Sequence, residues 1–77
     1  MHETYQRAQR AIADLKTSIL EILLVASTDG LTNAEIGRTL GIYEGHKGHE
    51  GHIPRTLLGI MEGEGVVLQD SESKRWT

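Results

Sequence analysis

The sequence predicts a small, mainly α protein in which three helices are followed by a small β-hairpin of two short strands. Three observations support this fold class. Residues 4–26 place apolar side chains three and four positions apart, two shorter stretches show the same spacing, and residues 66–77 hold two β-prone stretches around a polar turn. A chain of 77 residues has room for one thin core, so residues 1–77 are predicted to form a single domain.

The first helix is predicted over residues 4–26, where charged side chains lie mostly between the apolar positions. Its second half, TSILEILLVA, is apolar on almost every side and should lie at the centre of the core. Residues 1–14 are an N-terminal extension of this helix, longer than so small a domain can cover. They place Tyr5, Ala8 and Ile12 on one face, which is expected to pack on a second copy of the chain or on a preceding domain, or to remain a solvated helix end.

The second helix is predicted to begin near Asn33, after a turn over residues 27–30. Thr32 is a suitable N-cap, because its hydroxyl can accept a hydrogen bond from a free N–H group of the first turn. Glu35 stands three residues later and completes a capping box. Gly41 is the expected left-handed residue just after the helix, so the helix should be short.

The third helix is predicted to begin at Pro54 and to end at Gly63 or Gly65. Proline suits the first helical position, and its ring disfavours the α conformation in the residue before it. Between these limits one side of the helix is apolar and should pack, whereas the other side is free. The packed side holds Leu57, Leu58 and Met61, and the free side holds Arg55, Thr56, Gly59 and Glu62.

Residues 66–70 and 74–77 are predicted to be the two strands of the hairpin, with residues 71–73 as its turn. Trp76 is expected to be a core anchor rather than an exposed stacking surface. Because the chain has no Phe, its core must be mostly aliphatic. The side chains expected to supply most of that core are Leu15, Ile19, Ile22, Leu23, Ile36, Leu40, Leu57, Leu58, Met61, Val66 and Leu68.

Composition narrows the classes of protein to which the chain belongs. It has no cysteine, so neither disulfides nor a thiolate zinc site can stabilise it, and an intracellular, cytoplasmic location is expected. No signal peptide is visible, and the most apolar stretch is too short to cross a bilayer, so no membrane partner is expected. The net charge of −3 is unusual for a nucleic-acid binder, although full protonation of the four histidines would change it to +1.

His46, His49 and His52 recur at every third position in a Gly-rich stretch, and imidazole is a common zinc ligand. They would converge on a metal only if the loop folded around it, and no cysteine or carboxylate pattern completes a ligand set. No metal site and no cofactor are therefore expected, and phosphate contact or plain solvation is favoured for these side chains. The serines lack a His and an acidic partner at triad spacing, so no catalytic residue is predicted and the chain is not expected to be an enzyme by itself.

Two segments of the chain resemble the winged helix-turn-helix family. Residues 31–41, LTNAEIGRTLG, match the family pattern of Leu-Thr, an acidic residue, an aliphatic residue, a small residue and a closing Gly. Residues 58–67, LGIMEGEGVV, match its pattern of Leu, then Leu or Met, Glu, Gly and two aliphatic residues. The connection from Gly41 to Pro54 is longer than the tight turn of the family. The resemblance implies three helices plus a two-stranded wing, with residues 66–77 as the wing.

The resemblance also implies that the chain reads the sequence of double-stranded DNA through the helix beginning at Pro54 and through the wing. It would do so as a small prokaryotic regulator of transcription or as the recognition module of a restriction nuclease. The residues implied to contact DNA are Arg55, Thr56, His52, His49, Lys47, Arg38, Asn33, Lys74 and Arg75. The alternative function is protein–protein interaction without DNA binding, which the acidic net charge favours.

Overall fold

The computed structural model describes residues 2–77, which form three helices around a small core. Helix α1 spans His2–Val25, α2 spans Asn33–Thr39 and α3 spans His52–Gly63. Both α1 and α2 pack against α3, so α3 is the element that joins the other two. The mainly α character predicted from the sequence is confirmed. Along residues 2–77, no helix is both long and apolar enough to cross a membrane.

The predicted two-stranded wing over residues 66–77 is wrong, because the part of the chain that the structure describes contains no strand. The C-terminal segment instead makes two isolated β-bridges, in which Trp76 pairs with Leu31 and with Gln69. Leu68 and Thr77 also exchange backbone hydrogen bonds of 3.2 and 2.9 Å. The segment is therefore held by single pairings and not by a continuous ladder, and the winged fold class does not describe this chain.

The pairing is interrupted at Lys74. This residue has a left-handed backbone with φ 63°, a conformation that a residue with a Cβ rarely adopts. Its carbonyl oxygen accepts a hydrogen bond from the side-chain amide of Gln69 at 3.1 Å, where a ladder would supply a backbone N–H. The Asp70 carboxylate accepts the backbone N–H groups of Glu72 and Ser73, which tightens the turn further. The segment thus turns tightly between Asp70 and Lys74, whose N–H donates to the Asp70 carbonyl at 2.9 Å.

The core contains Ile19 of α1, Ile36 of α2, three side chains of α3 and two side chains from the C-terminal segment. Trp76 is buried, as predicted for a core anchor. Half-buried apolar side chains surround this cluster, including Leu20, Leu31 and Ile42, which the sequence prediction omitted. The buried core side chains are Ile19, Ile36, Leu57, Leu58, Met61, Val67 and Trp76, and the predicted residues packed against them are Leu15, Ile22, Leu23 and Leu40.

The prediction that Val66 and Leu68 belong to the core is wrong. These side chains are 51% and 70% exposed, whereas Val67 between them is only 2% exposed. Successive side chains of an extended segment point to opposite sides, so a shift of one residue exchanges the inner and outer sets. The register is set where α3 ends, because Gly65 is left-handed with φ 80° and Val66 N–H donates to the Met61 carbonyl at 3.0 Å.

The boundaries of α2 agree with the sequence prediction. The Thr32 hydroxyl accepts the Glu35 N–H at 3.1 Å, and the Thr32 N–H donates to the Glu35 carboxylate at 2.8 Å, which confirms the capping box. At the other end Gly41 is left-handed with φ 72°. The N–H groups of Gly41 and Ile42 donate to the carbonyls of Arg38 and Gly37, a pairing that satisfies the last free carbonyls of a helix.

Helix α3 begins at His52, two residues before the predicted start at Pro54. Gly51 precedes it in a left-handed conformation with φ 85°. The first four N–H groups of a helix have no partner within the helix, so a proline at the third position costs no hydrogen bond. The general bias of a residue before proline away from the α region is thus overridden at Ile53, which lies inside the helix.

The capping box makes one prediction about acid stability. The backbone N–H and side chain of Thr32, with a smaller contribution from Arg75, lower the pKa of Glu35 below its ordinary value of 4.5. Because the folded-state pKa is lowered, the stabilisation is present above the unfolded value and is lost as pH falls through the folded one. Glu35→Gln should therefore flatten the fall in the midpoint of urea unfolding below about pH 4.5.

The matched control for this prediction is Glu21→Gln, which removes an exposed carboxylate from α1. It should leave the pH dependence of the unfolding midpoint close to that of the parent. Equal flattening in both variants would mean that the acid sensitivity comes from overall charge and not from the cap of α2.

Candidate nucleic-acid interface

The outer side of α3 carries Arg55 and Thr56, two of the side chains implied to contact DNA. Arg55, Thr56, Gly59 and Glu62 are exposed, whereas Leu57, Leu58 and Met61 are buried. This confirms the two-sided pattern predicted for the helix. The buried side fixes α3 to the core, so the orientation of Arg55 and Thr56 is set by the packing of the whole domain.

The start of α3 is held by Tyr43, a residue that the sequence analysis did not single out. A Cβ built on Gly37 would lie 2.9 Å from the Tyr43 Cβ, and a Cβ built on Gly51 would lie 2.7 Å from its ring. Tyr43 thus fits between α2 and the residue preceding α3 because both neighbours are glycines. An aromatic residue in a stretch otherwise made of Gly, His and charged residues was the available signal.

Two side chains of α2 also secure this junction. The Asn33 side-chain amide donates to the Gly51 carbonyl at 3.2 Å, and the Arg38 guanidinium lies 4.7 Å from the centre of the Tyr43 ring. A cation over an aromatic face at this distance is attracted by the electron-rich ring. Asn33 is therefore already engaged in positioning α3, while Arg38 remains exposed beside Tyr43.

The segment between Tyr43 and α3 is closed at its base, where Gly51 N–H donates to the Glu44 carbonyl at 3.1 Å. Its tip turns where His49 N–H donates to the His46 carbonyl at 2.7 Å. The ring of His49 lies parallel to that of His52, with centroids 6.4 Å apart and planes at 10°. The turn therefore brings His49 next to the first residue of α3.

The three loop histidines do not form a metal centre in the structure. Within residues 2–77 no group of three or more His, Cys, Asp or Glu side chains is arranged to hold a metal ion. His46 lies at the tip of the turn, whereas His49 and His52 stack on each other. What the arrangement offers is a set of exposed imidazole side chains beside α3.

The predicted contacts in the C-terminal segment are placed differently from those around α3. Arg75 is half-buried, and its guanidinium donates to the Gly30 carbonyl at 2.9 Å and to the Glu35 carboxylate at 3.3 Å. It ties the C-terminus to the start of α2. Lys74 is exposed at the adjoining turn. In the described chain the ion pairs are Lys16–Glu64 and Arg75–Glu35, and Arg55 belongs to neither.

Charge is distributed unevenly along the chain, although the net charge of the whole chain is −3. Between residues 38 and 55 there are three cationic side chains, Arg38, Lys47 and Arg55, against two carboxylates. One of these carboxylates, Glu50, is turned toward the Gly48 N–H group of its own loop. The segment that leads into α3 is therefore slightly basic.

Comparison with known proteins adds no relative to this picture, since no protein family, curated protein or solved structure matches the chain.

Proposed function

We propose that this chain binds double-stranded DNA by placing the first turns of α3 in the major groove. One observation carries the proposal: Arg55 and Thr56 are exposed on one side of a helix whose opposite side is locked into the core. The 12 residues of α3 form a helix about 18 Å long. A helix is about 10–12 Å in diameter with its side chains, and this diameter fits a major groove about 12 Å wide. A rigid helix that presents Arg and Thr supplies donors for base edges without first having to be ordered.

Arg55 has the leading role in the proposed complex. Its guanidinium can donate two parallel hydrogen bonds to O6 and N7 of a guanine, the most common specific contact in the major groove. Thr56 follows it on the same exposed side and offers both a hydroxyl and a methyl group. His52 and His49 lie beside the helix start and would contact a phosphate or a base edge.

Other cationic side chains would hold the DNA backbone without reading its sequence. Lys47 and Arg38 are exposed in the slightly basic segment of residues 38–55, which leads into α3. Lys74 is an exposed cation of the C-terminal segment. Asn33 and Arg75 are engaged within the protein, so we assign them to positioning α3 and the C-terminus. With few phosphate contacts, the dependence of affinity on salt should be shallow.

The same DNA-binding surface would suit two biological roles. The chain would act as a small transcription regulator or as the recognition module of a nuclease, without catalytic residues of its own. In a prokaryotic cell either setting places it in the cytoplasm.

Arg55→Ala tests the reading role directly. Selection from a pool of randomised duplex DNA should yield a preferred site for the parent protein. On that site Arg55→Ala should lose about 1–3 kcal/mol of binding free energy and should relax discrimination at one base pair. Lys74→Ala should instead weaken binding to all duplexes to a similar extent. Fluorescence anisotropy with the selected and random duplexes measures both effects.

Arg10→Ala is the matched control, because it removes the same charge from an exposed position of α1 away from α3. If Arg55→Ala and Arg10→Ala weakened binding equally on every duplex, α3 would not read the sequence. No binding of the parent protein to any duplex at low salt and pH 6 would contradict the DNA proposal as a whole.

The alternative function, protein–protein interaction without DNA, has one observation in its favour. Ile53 and Ile60 are exposed on α3 itself, next to the polar side chains assigned to DNA. Large apolar side chains at an interface are typical of protein partners, whereas charged donors are typical of DNA contacts. The anisotropy experiment separates the two functions, because a surface that binds only protein gives no duplex complex.

A further inference from the structure

The apolar stripe of α1 continues beyond the core. Its members alternate at intervals of three and four residues, the spacing by which two helices pack along a seam. Ile19 of this stripe is buried and Leu15 is half-buried, but Tyr5 is 67% exposed and Ile12 is also exposed. The stripe consists of Tyr5, Ala8, Ile12, Leu15, Ile19 and Ile22. Its first half thus has the pattern of an interface and no partner among residues 2–77.

A shallow groove lies where the exposed half of α1 meets the core. It has a volume of about 300 Å³, and Leu15, Ile53 and Leu57 supply most of its apolar wall. His52 and Thr56 complete the lining. The groove can therefore accept a large apolar side chain from outside the described fold, and one of its walls is the exposed Ile53.

We propose that two copies of this chain form an antiparallel dimer through the first halves of their α1 helices, each inserting Tyr5 into the groove of the other. Tyr5 and Leu15 are ten residues apart, or about 15 Å along the helix axis. A two-fold axis at the level of Arg10 therefore places Tyr5 beside the partner's Leu15, and reciprocally. In this register the exposed Tyr5 ring of each copy therefore lies next to the groove of the other copy.

The same register pairs the remaining members of the stripe. Ala8 comes level with the partner's Ile12, so that a small side chain faces a large one at both inner positions. In a two-fold dimer, if residue 8 of one copy contacts residue 12 of the other, then residue 12 of the first copy also contacts residue 8 of the second. The Tyr5–Leu15 and Ala8–Ile12 pairs both satisfy this condition. A parallel pair would place Tyr5 against the partner's Tyr5 and leave both grooves empty.

Charges along the exposed half of α1 also favour a second copy as the partner. Glu3 and Asp14 balance Arg7 and Arg10, so two such segments do not repel each other. In the antiparallel register Arg7 lies within about one residue rise of the partner's Asp14, on the same flank of the pair. Ala11 lies between them on this flank and is small enough to let the two side chains approach.

The dimer would leave the proposed DNA-reading side chain free. Ile53 and Arg55 are two positions apart on α3 and so point about 200° apart around its axis. Docking on the Ile53 side therefore does not cover Arg55. The groove shares His52 and Thr56 with the proposed DNA contacts, whereas Arg55 and Lys74 lie outside it, so substitutions of Arg55 and of Ile12 test the two proposals separately.

Analytical ultracentrifugation at increasing protein concentration tests the association. The parent chain should shift from its 8.5 kDa monomer mass to twice that value, and Ile12→Glu should remain a monomer throughout. Leu24→Glu is the matched control, because it places the same charge at an exposed aliphatic position near the other end of α1. Circular dichroism should show that both variants keep the helical content of the parent. A parent chain that stays monomeric, or loss of the dimer in Leu24→Glu as well, would overturn the proposal.

Disulfide crosslinking tests the orientation, since the parent chain has no cysteine to interfere. Ala8→Cys and Ile12→Cys proteins, distinguished by an affinity tag on one of them, are mixed and oxidised. The antiparallel register predicts a mixed disulfide between the two variants as the main product. Homodimers of each variant as the main products would indicate a parallel pair and would overturn the proposed filling of the groove by Tyr5.

Discussion

Leu58→Ala is expected to lower the free energy of unfolding by about 2–5 kcal/mol, enough to unfold much of the protein at room temperature. Leu58 is fully buried, and it lies on the side of α3 that faces the core. Because α1 and α2 both pack on α3, a cavity at this position weakens the contacts of all three helices. A core this small has few other large side chains that can move to fill the space.

Leu24→Ala is the matched control for this prediction, since the same change is made where the leucine side chain is 81% exposed. It should alter the free energy of unfolding by no more than about 0.5 kcal/mol. Urea unfolding followed by circular dichroism measures both variants. A Leu58→Ala protein with the same free energy of unfolding as the parent would contradict the central packing assigned to α3.

Gly30→Ala is expected to have the second large effect, because it affects both backbone conformation and packing. Gly30 has φ 78°, a left-handed conformation that costs a residue with a Cβ about 1–2 kcal/mol. A Cβ there would also lie 2.0 Å from the Trp76 carbonyl oxygen, which is backbone and cannot rotate away. That carbonyl accepts the Leu31 N–H at 3.0 Å, so the substitution should break the Leu31–Trp76 bridge and release the C-terminus.

Gly41→Ala separates the two causes, since Gly41 has φ 72° but no atom within 4 Å of the added Cβ. It should show the conformational cost alone, whereas Gly30→Ala should lose clearly more stability. Trp76, the single tryptophan of the chain, reports the difference. Its emission in the folded state should shift toward that of a solvent-exposed indole in Gly30→Ala and stay unchanged in Gly41→Ala. Equal stability losses with unchanged emission in both variants would mean that the C-terminus is not anchored through this bridge.

The C-terminal segment contains residues that matter both for stability and for the proposed DNA binding. Arg75 was implied to contact DNA, but the Gly30 carbonyl and the Glu35 carboxylate hold its guanidinium. The same residue therefore ties the N-terminal end of α2 to the C-terminus. Substitution of Arg75 should for this reason disturb stability as well as any DNA binding, which makes Lys74 the better probe of phosphate contact.

Several features of this protein follow from short stretches of sequence. The capping box of Thr32 and Glu35, the left-handed Gly41 and the two sides of α3 all agree with the structure. Each depends on residues within one or two turns of each other, and the backbone geometry of a helix relates them directly. The exposure of Arg55, on which the candidate site depends, was predictable for the same reason.

Other features were decided only by contacts between distant parts of the chain. Trp76 pairs with Leu31 across 45 positions, and this pairing, together with the turn at Lys74, replaces the predicted hairpin by isolated bridges. The burial of Val67 instead of its two neighbours depends on how α3 ends. The engagement of Asn33 with Gly51 likewise depends on where the loop returns to α2. The local sequence pattern predicts on which face of its own helix or segment a side chain lies. It does not predict which distant residue that side chain contacts, because the free energy of burial and hydrogen bonding is gained only when the separate elements pack together.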